Sequence, residues 1–422
     1  MIASIIIFII VYILLASGKM EETVAALLGA TAVIVFNLID FESALRSIDL
    51  NVIFLLVGMM TCVAILAETG FFEWVAISVA KHMKGHAGGI LIVLLAVTMV
   101  LSSLLDNVTC IILMAPVTVL ITQLLEVPVK PFLILEALAS NIGGTATLIG
   151  DPPNIIIGSR ANLTFNDFLC HSAPGILFSG IIFIATAYFT LRKRLAVPDM
   201  IRTRVTDSYP SLALRDRKKM YRALAVFALI LIGFFTQRQT GLAAGIIALG
   251  GMALMLPICY SKTEHMLKVV EWNAVFFFIG LFIIIGAMEH NGVIDLMAKG
   301  MFKLCGDNLL LSCMVILWGS ALFSALLNNI PFIIVMMPMV QKMIANTGGT
   351  ADAGNPLYWA LAFGVCLGGN GTIIGASANV LACKIGERNG YRISFMEFLK
   401  WGMPLMVQSI LVVSIYLWIR YF

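Results

Sequence analysis

Apolar runs close to twenty residues long follow one another along nearly the whole chain, and nothing else constrains its fold as much. They lie near 2–17, 21–39, 50–68, 88–105, 108–125, 131–160 and 169–191, then near 223–236, 241–259, 273–289, 309–327, 330–345, 357–386 and 402–420. A bilayer core about 30 Å thick takes roughly 20 mostly apolar helical residues to cross, whereas barrel strands give alternating segments of about ten. Only 12% of the 422 residues are charged and 60% are hydrophobic, against about 25% charged in soluble domains. The expected fold is therefore an all-α polytopic protein in a lipid bilayer. Eight cysteines, several inside apolar runs, are too sparse for a disulfide scaffold. Met1 is followed by Ile2, Ala3 and Ser4 with no basic residue before the first run, so that run reads as a retained span, not a signal peptide.

The net charge of +4 is unevenly spread. Between 192 and 222 lie Arg192, Lys193, Arg194, Arg202, Arg204, Arg215, Arg217, Lys218, Lys219 and Arg222, against Asp199, Asp207 and Asp216. Such a cluster marks a cytoplasmic loop and gives no reason to expect a nucleic-acid partner. With five crossings in each half, both termini fall outside. Of the 17 remaining Lys and Arg residues, ten (Lys19 and Lys262 among them) then fall inside and seven outside.

The two sets of runs repeat each other. At a shift of 222, Asn51-Val-Ile-Phe54 with Gly58 meets Asn273-Ala-Val-Phe276 with Gly280, and Ser103-Leu-Leu-Asp106-Asn107 meets Ala325-Leu-Leu-Asn328-Asn329. At 225, Gly143-Gly-Thr-Ala-Thr147-Leu-Ile-Gly150 meets Gly368-Gly-Asn-Gly-Thr372-Ile-Ile-Gly375, and Asn154 meets Asn379; at 230, Phe165, Phe168 and Pro174 meet Phe395, Phe398 and Pro404. The organisation read from this is repeat one at 1–195, a basic linker at 196–221 and repeat two at 222–422. The short polar joints at Asp106-Asn107 and Asn328-Asn329 suit re-entrant hairpins, at 88–125 and 309–345. Glycine and proline break the helix at 131–160, and Gly368-Gly369-Asn370-Gly371 with Gly375 the one at 357–386. Five spans per repeat, or seven if both hairpin legs cross, is an odd number, so the repeats are expected to be inverted.

Unwound backbone at membrane depth is tolerated where it is buried in protein or lines a cavity, and its amides, carbonyls and helix ends can replace an ion's hydration shell. The candidate ion- and substrate-binding set is Asp106, Asn107, Thr109, Asn141, Gly143, Thr145, Thr147, Asp151 and Asn154, with Asn328, Asn329, Asn370, Thr372, Ser377 and Asn379 from repeat two. A carboxylate at this depth costs at least about 2.5–3.5 kcal/mol. Asp106 and Asp151 face Asn328 and Ala376 in the other repeat, so both acids come from repeat one and suit a titrating or Na+ site formed with Asn107. Glu136 reads as an acid near a helix N-terminus beside Lys130. The stretch from Phe71 to His86 reads as an amphipathic interfacial helix; His82 and His86 have a metal-like spacing but no third ligand nearby. Cys110 and Cys366 lie near the proposed site and read as packing residues.

Leu105-Asp-Asn-Val-Thr109 with Pro116, then Ser140-Asn-Ile-Gly-Gly-Thr-Ala-Thr-Leu-Ile-Gly-Asp-Pro-Pro-Asn154, resembles the arsenite permease and melanosomal P-protein branch of the ion transporter superfamily, as do Phe71-Phe-Glu-Trp74 and Asn328-Asn-Ile-Pro331. The resemblance covers essentially the whole chain. It implies ten spans, two re-entrant hairpins, a scaffold, a mobile transport domain carrying both hairpins, and a homodimer. Dicarboxylate carriers of the superfamily bear Ser-Asn-Thr at both tips; Asp106-Asn-Val and Asn328-Asn-Ile depart from that and lean toward antiport.

The function expected is secondary active transport of a small inorganic solute coupled to H+ or Na+, as arsenite or antimonite efflux or as Na+/H+ exchange. The alternatives are a sodium- or proton-coupled carboxylate or anion transporter and an ion channel of the same fold. The sequence has no G-x-x-x-x-G-K-[ST], H-E-x-x-H or G-x-S-x-G motif, so neither an enzyme nor a cofactor is expected. A separate ATPase partner would be needed only if no ion gradient drives the chain.

Overall fold

Helices begin and end close to the bounds that the apolar runs predict. The computed structural model describes residues 1–17, 20–198, 200–202, 209–259, 268, 270–306, 308–346 and 350–422. Lys19, Asp199, Arg204, Asp207 and Lys262 lie outside the described residues. The first half contains α1 (Ile2–Ser17), α2 (Glu22–Val35), α3 (Phe41–Ser47), α4 (Leu50–Ala67), α5 (Phe71–His82), α6 (Ala87–Leu104), α7 (Asn107–Leu124), α8 (Val129–Gly144), α9 (Pro152–Ala161), α10 (Phe165–His171) and α11 (Ala173–Leu191). The second contains α12 (Arg217–Phe235), α13 (Ala244–Ile258), α14 (Trp272–His290), α15 (Val293–Cys305), α16 (Leu309–Leu326), α17 (Asn329–Asn346), α18 (Pro356–Gly368), α19 (Ser377–Arg388) and α20 (Phe395–Tyr421). No strand occurs among the described residues.

Helix bounds carry the sequence repeat. α6 and α7 recur 222 residues later as α16 and α17, and α9 starts 225 residues before α19. One residue pair, Leu105-Asp106, separates α6 from α7, and Leu327-Asn328 separates α16 from α17. All four legs have 18 residues, about 27 Å of helix at 1.5 Å per residue.

Cross-repeat pairs build one layer: α4 lies along α13, and α14 along α2. Both crossings are closed by a glycine against backbone. A Cβ added at Gly58 would lie 2.6 Å from the Ala248 carbonyl carbon, and one at Gly280 2.9 Å from that of Ala26. Close backbone approach through small residues is how helices gain packing energy where lipid removes the hydrophobic drive. Gly58→Val should force α4 and α13 apart, lowering the yield of monodisperse protein in size-exclusion chromatography, whereas Gly250→Ala, which meets open space, should not.

The second layer is centred on α8 and α18. α18 is buried along its whole length, and α8 from Phe132 to its end. α6 packs along α8, and α16 along α18; the layers meet where α9 touches α4 and α17 touches α14. The basic segment returns onto the α4–α5 corner: the Arg215 amide donates to the Thr69 carbonyl at 2.9 Å, and Lys219 pairs with Glu68 at 2.7 Å. Gly70, at a φ of +79°, makes the turn there and leaves room for the Ala213 carbonyl. α12 starts at Arg217, capped by Asp216 through the Lys219 amide, so helix begins inside the stretch assigned to the linker.

Candidate functional site

The break in the first long helix follows from its residues. α8 ends at Gly144, the chain runs unwound through Asp151, and Pro152-Pro153 start α9. Asn154 ties the unwound segment together: its amide donates to the carbonyls of Gly144 (3.3 Å), Thr145 (3.1 Å) and Thr147 (2.8 Å). Asn379 does the same in repeat two, to Gly369 and Thr372 at 2.8 and 2.9 Å. The Thr147 hydroxyl donates to the Ser103 carbonyl, and that of Thr372 to Ala325 at 2.6 Å, pinning each loop to its hairpin. The Thr145 hydroxyl donates to the Asn141 carbonyl at 2.7 Å. Gly143 meets Met99, whose carbonyl oxygen would lie 2.2 Å from an added Cβ, so its place in the set is one of packing.

The two hairpin tips converge on one carboxylate oxygen. The Asn107 amide reaches Asp151 Oδ1 at 3.3 Å, and the Asn329 amide reaches the same atom at 3.5 Å. Asn107 also donates to Asn141 Oδ1 at 3.0 Å, while the Asn141 amide donates to Asn370 Oδ1 (2.8 Å) and Asn379 Oδ1 (3.0 Å). Asn141 thus joins both tips' surroundings and both broken helices. All six residues of this network are buried, Asp151 completely.

Asp151 Oδ2 accepts no N–H or O–H hydrogen bond among the described residues, although the Cys366 thiol lies against the carboxyl, and the local sequence explains why. An aspartate before a helix ordinarily accepts from amides in the first turn. Here the first two helical residues are prolines without N–H groups, and the backbone N–H of Asn154 donates to the Asp151 backbone carbonyl at 3.0 Å. Among the described residues no Lys or Arg pairs with Asp151, Asp106 or Glu136.

Other candidates are placed differently. Asp106 caps α7, accepting from the Thr109 amide at 2.9 Å and the Thr109 hydroxyl at 2.5 Å, so both of its oxygens are engaged within its own helix. Asn328 turns away from Asp151 toward Glu22, 3.4 Å from either carboxylate oxygen, beside a crevice lined by Tyr12, Pro331 and Ile374. Ser377 is half-buried at the start of α19, with no side-chain bond among the described residues. Cys366, the repeat counterpart of Asn141, lies 3.6 Å from Asn154 Oδ1. The expectation for Glu136 is corrected: Lys130 pairs instead with Glu397 at 3.2 Å. Glu136 lies two turns into α8, 1% exposed, accepting from Thr118 at 2.7 Å and Thr98 at 3.4 Å. Its repeat counterpart, Leu361, is the signal that could have singled it out.

Residues 12–364 match the model of a family described as CitMHS, citrate transporter. The chain belongs to this family. It is accordingly a membrane transporter of the ion transporter superfamily, and the family and its relatives point away from an enzyme. An uncharacterized transporter of Mycobacterium tuberculosis is 41% identical over 420 residues, covering 99% of this chain and 97% of that one. The P protein of Homo sapiens is 31% identical over 489 residues, covering 96% of this chain and 58% of the relative, in line with the resemblance read from the Asp-Pro-Pro segment. The crystal structure of the YdaH transporter of Alcanivorax borkumensis, described as having an unusual topology, shares the fold with a TM-score of 0.61 at 14% identity, over 87% of this chain and 84% of that one.

Proposed function

We propose that the chain is an ion-coupled secondary transporter in which Asp151 takes up and releases H+ or Na+ as a small solute crosses. One observation carries this reading. A fully buried carboxylate, without a counter-cation among the described residues, keeps one oxygen without an N–H or O–H donor, beside only the weakly donating Cys366 thiol, while the tips of both hairpins hold the other. A bare buried charge is costly, and a proton or cation at Oδ2 relieves it. The meeting of the tips also favours re-entrant hairpins, because legs that spanned in two inverted repeats would carry their tips to opposite faces, about 30 Å apart. On this reading each inverted repeat crosses five times, the linker faces the cytoplasm with both termini outside, and Asp106 contributes as a cap beside the site. A homodimer would give the moving layer a fixed scaffold.

Exchange of an inorganic solute for the coupling ion is our first reading. Transport of a carboxylate is the second, favoured by the family's description and by α19. Ala376 offers α19 no side-chain cap, and the N–H groups of Ser377 and Ala378, which donate to no side-chain cap among the described residues, suit an anion, where α9 has prolines. Both readings are tested with the purified chain in proteoliposomes enclosing a pH-sensitive dye. External Na+, arsenite or citrate should each be applied against a pH gradient. At least one should drive protein-dependent proton movement, or arsenite or citrate uptake should follow an imposed Na+ gradient; silence in both arms would overturn the coupling, and channel-like conductance without uphill flux would overturn the transporter.

A further inference from the structure

Glu136 stands inside the first hairpin, away from the tips, on the face of α8 that packs between α6 and α7. Its Oε1 takes both hydroxyl bonds, from Thr118 and Thr98, and its Oε2 meets no donor. The titratable group facing it from α7 is the Cys110 thiol, and no basic side chain pairs with it among the described residues. The fold itself has no need of this acid. Repeat two makes the same helix contact with Leu361, Val340 and Ser320 at the positions of Glu136, Thr118 and Thr98, and α18 is buried as fully as α8.

An ionised carboxylate sealed in with two hydroxyls is left without compensation. The neutral acid is well placed, because a threonine hydroxyl can turn from donor to acceptor. Hard divalent cations take six or more oxygens, and this pocket offers one carboxylate and two hydroxyls. A polar track leads from it toward the tips: Ser140, one turn along α8, lies 3.1 Å from the Ser102 hydroxyl and donates to the Asn107 carbonyl at 3.1 Å. We propose that Glu136 holds a second exchangeable proton, carried inside the first hairpin and separate from the site at Asp151. Its part in coupling rests on the transport reading above, but its protonation does not.

Infrared spectra of the full chain in proteoliposomes, stepped from acid to alkaline pH, follow the carbonyl stretch of protonated carboxyl groups, which shifts in D2O. Glu136→Gln should remove one component and Asp151→Asn a different one. Thr118→Val, which copies Val340, removes the nearer hydroxyl partner of the carboxyl, so the Glu136 component should move to higher wavenumber. Glu136→Leu, which copies Leu361, should also lose the component and guards against misfolding of the glutamine variant. Spectra of both Glu136 variants identical to the parent would overturn the proposal, as would a Glu136 component that no pH bleaches. If the parent shows neither proton- nor Na+-coupled flux, the transport reading fails while the infrared component still stands.

Discussion

Asp151→Asn should reduce proton-coupled flux in proteoliposomes to the level of empty vesicles while leaving the protein folded. The substitution is isosteric and keeps an Oδ1 acceptor for the amides of Asn107 and Asn329. It replaces the open Oδ2 with an amide that can neither take up a proton nor hold a cation by charge. Loss of the group that titrates removes coupling altogether, whereas loss of a cap only weakens a helix end. Asp106→Asn is the matched control, since Asn caps a helix about as well as Asp and the engagement with Thr109 is local. That variant should retain most of its flux. Equal flux in parent and Asp151→Asn would remove Asp151 from the coupling step, and a selective loss in Asp106→Asn would transfer the role to the first tip.

The difference between these two aspartates marks where the sequence ceased to be informative. Helix bounds were legible because the apolar period and the breakers fix them locally, and α16 and α17 could be placed by sliding α6 and α7 along by 222 residues. The Asp-Pro-Pro break was legible for the same reason. Which side chains face one another was not, because that depends on how distant helices rotate against each other. Asp106 and Asp151 looked like a pair from their spacing, yet one is engaged by its own first turn and the other is reached by a tip 178 residues away. Asn154, Asn379, Thr147 and Thr372 also looked like ligands, and their side chains are engaged in holding the unwound loops. Two turns into α8 the helix is already in the core, but closeness to Lys130 in sequence masks the burial of Glu136. Its mismatch with Leu361 held the information.

Asn141→Leu should be the most destabilising of the polar substitutions at the site. Asn141 is fully buried and bonds to three other amides at once. A leucine of similar size leaves the side-chain oxygens of Asn370 and Asn379 without this donor and the Asn107 amide with only Asp151. Each orphaned buried group costs about 1–3 kcal/mol, so a loss of about 2–6 kcal/mol is expected. Melting followed by size-exclusion chromatography in detergent should show a midpoint far below that of Asp151→Asn. Repeat two supplies an internal comparison, for the same position there is Cys366, whose thiol is only a weak donor, toward Asn154 and the Asp151 carboxyl. Asn141→Cys should therefore fall between parent and leucine, keeping one weak donor where the parent has two. If Asn141→Leu melts with the parent, the amides do not hold the tips together, and the convergence on Asp151 must come from apolar packing of the hairpins alone.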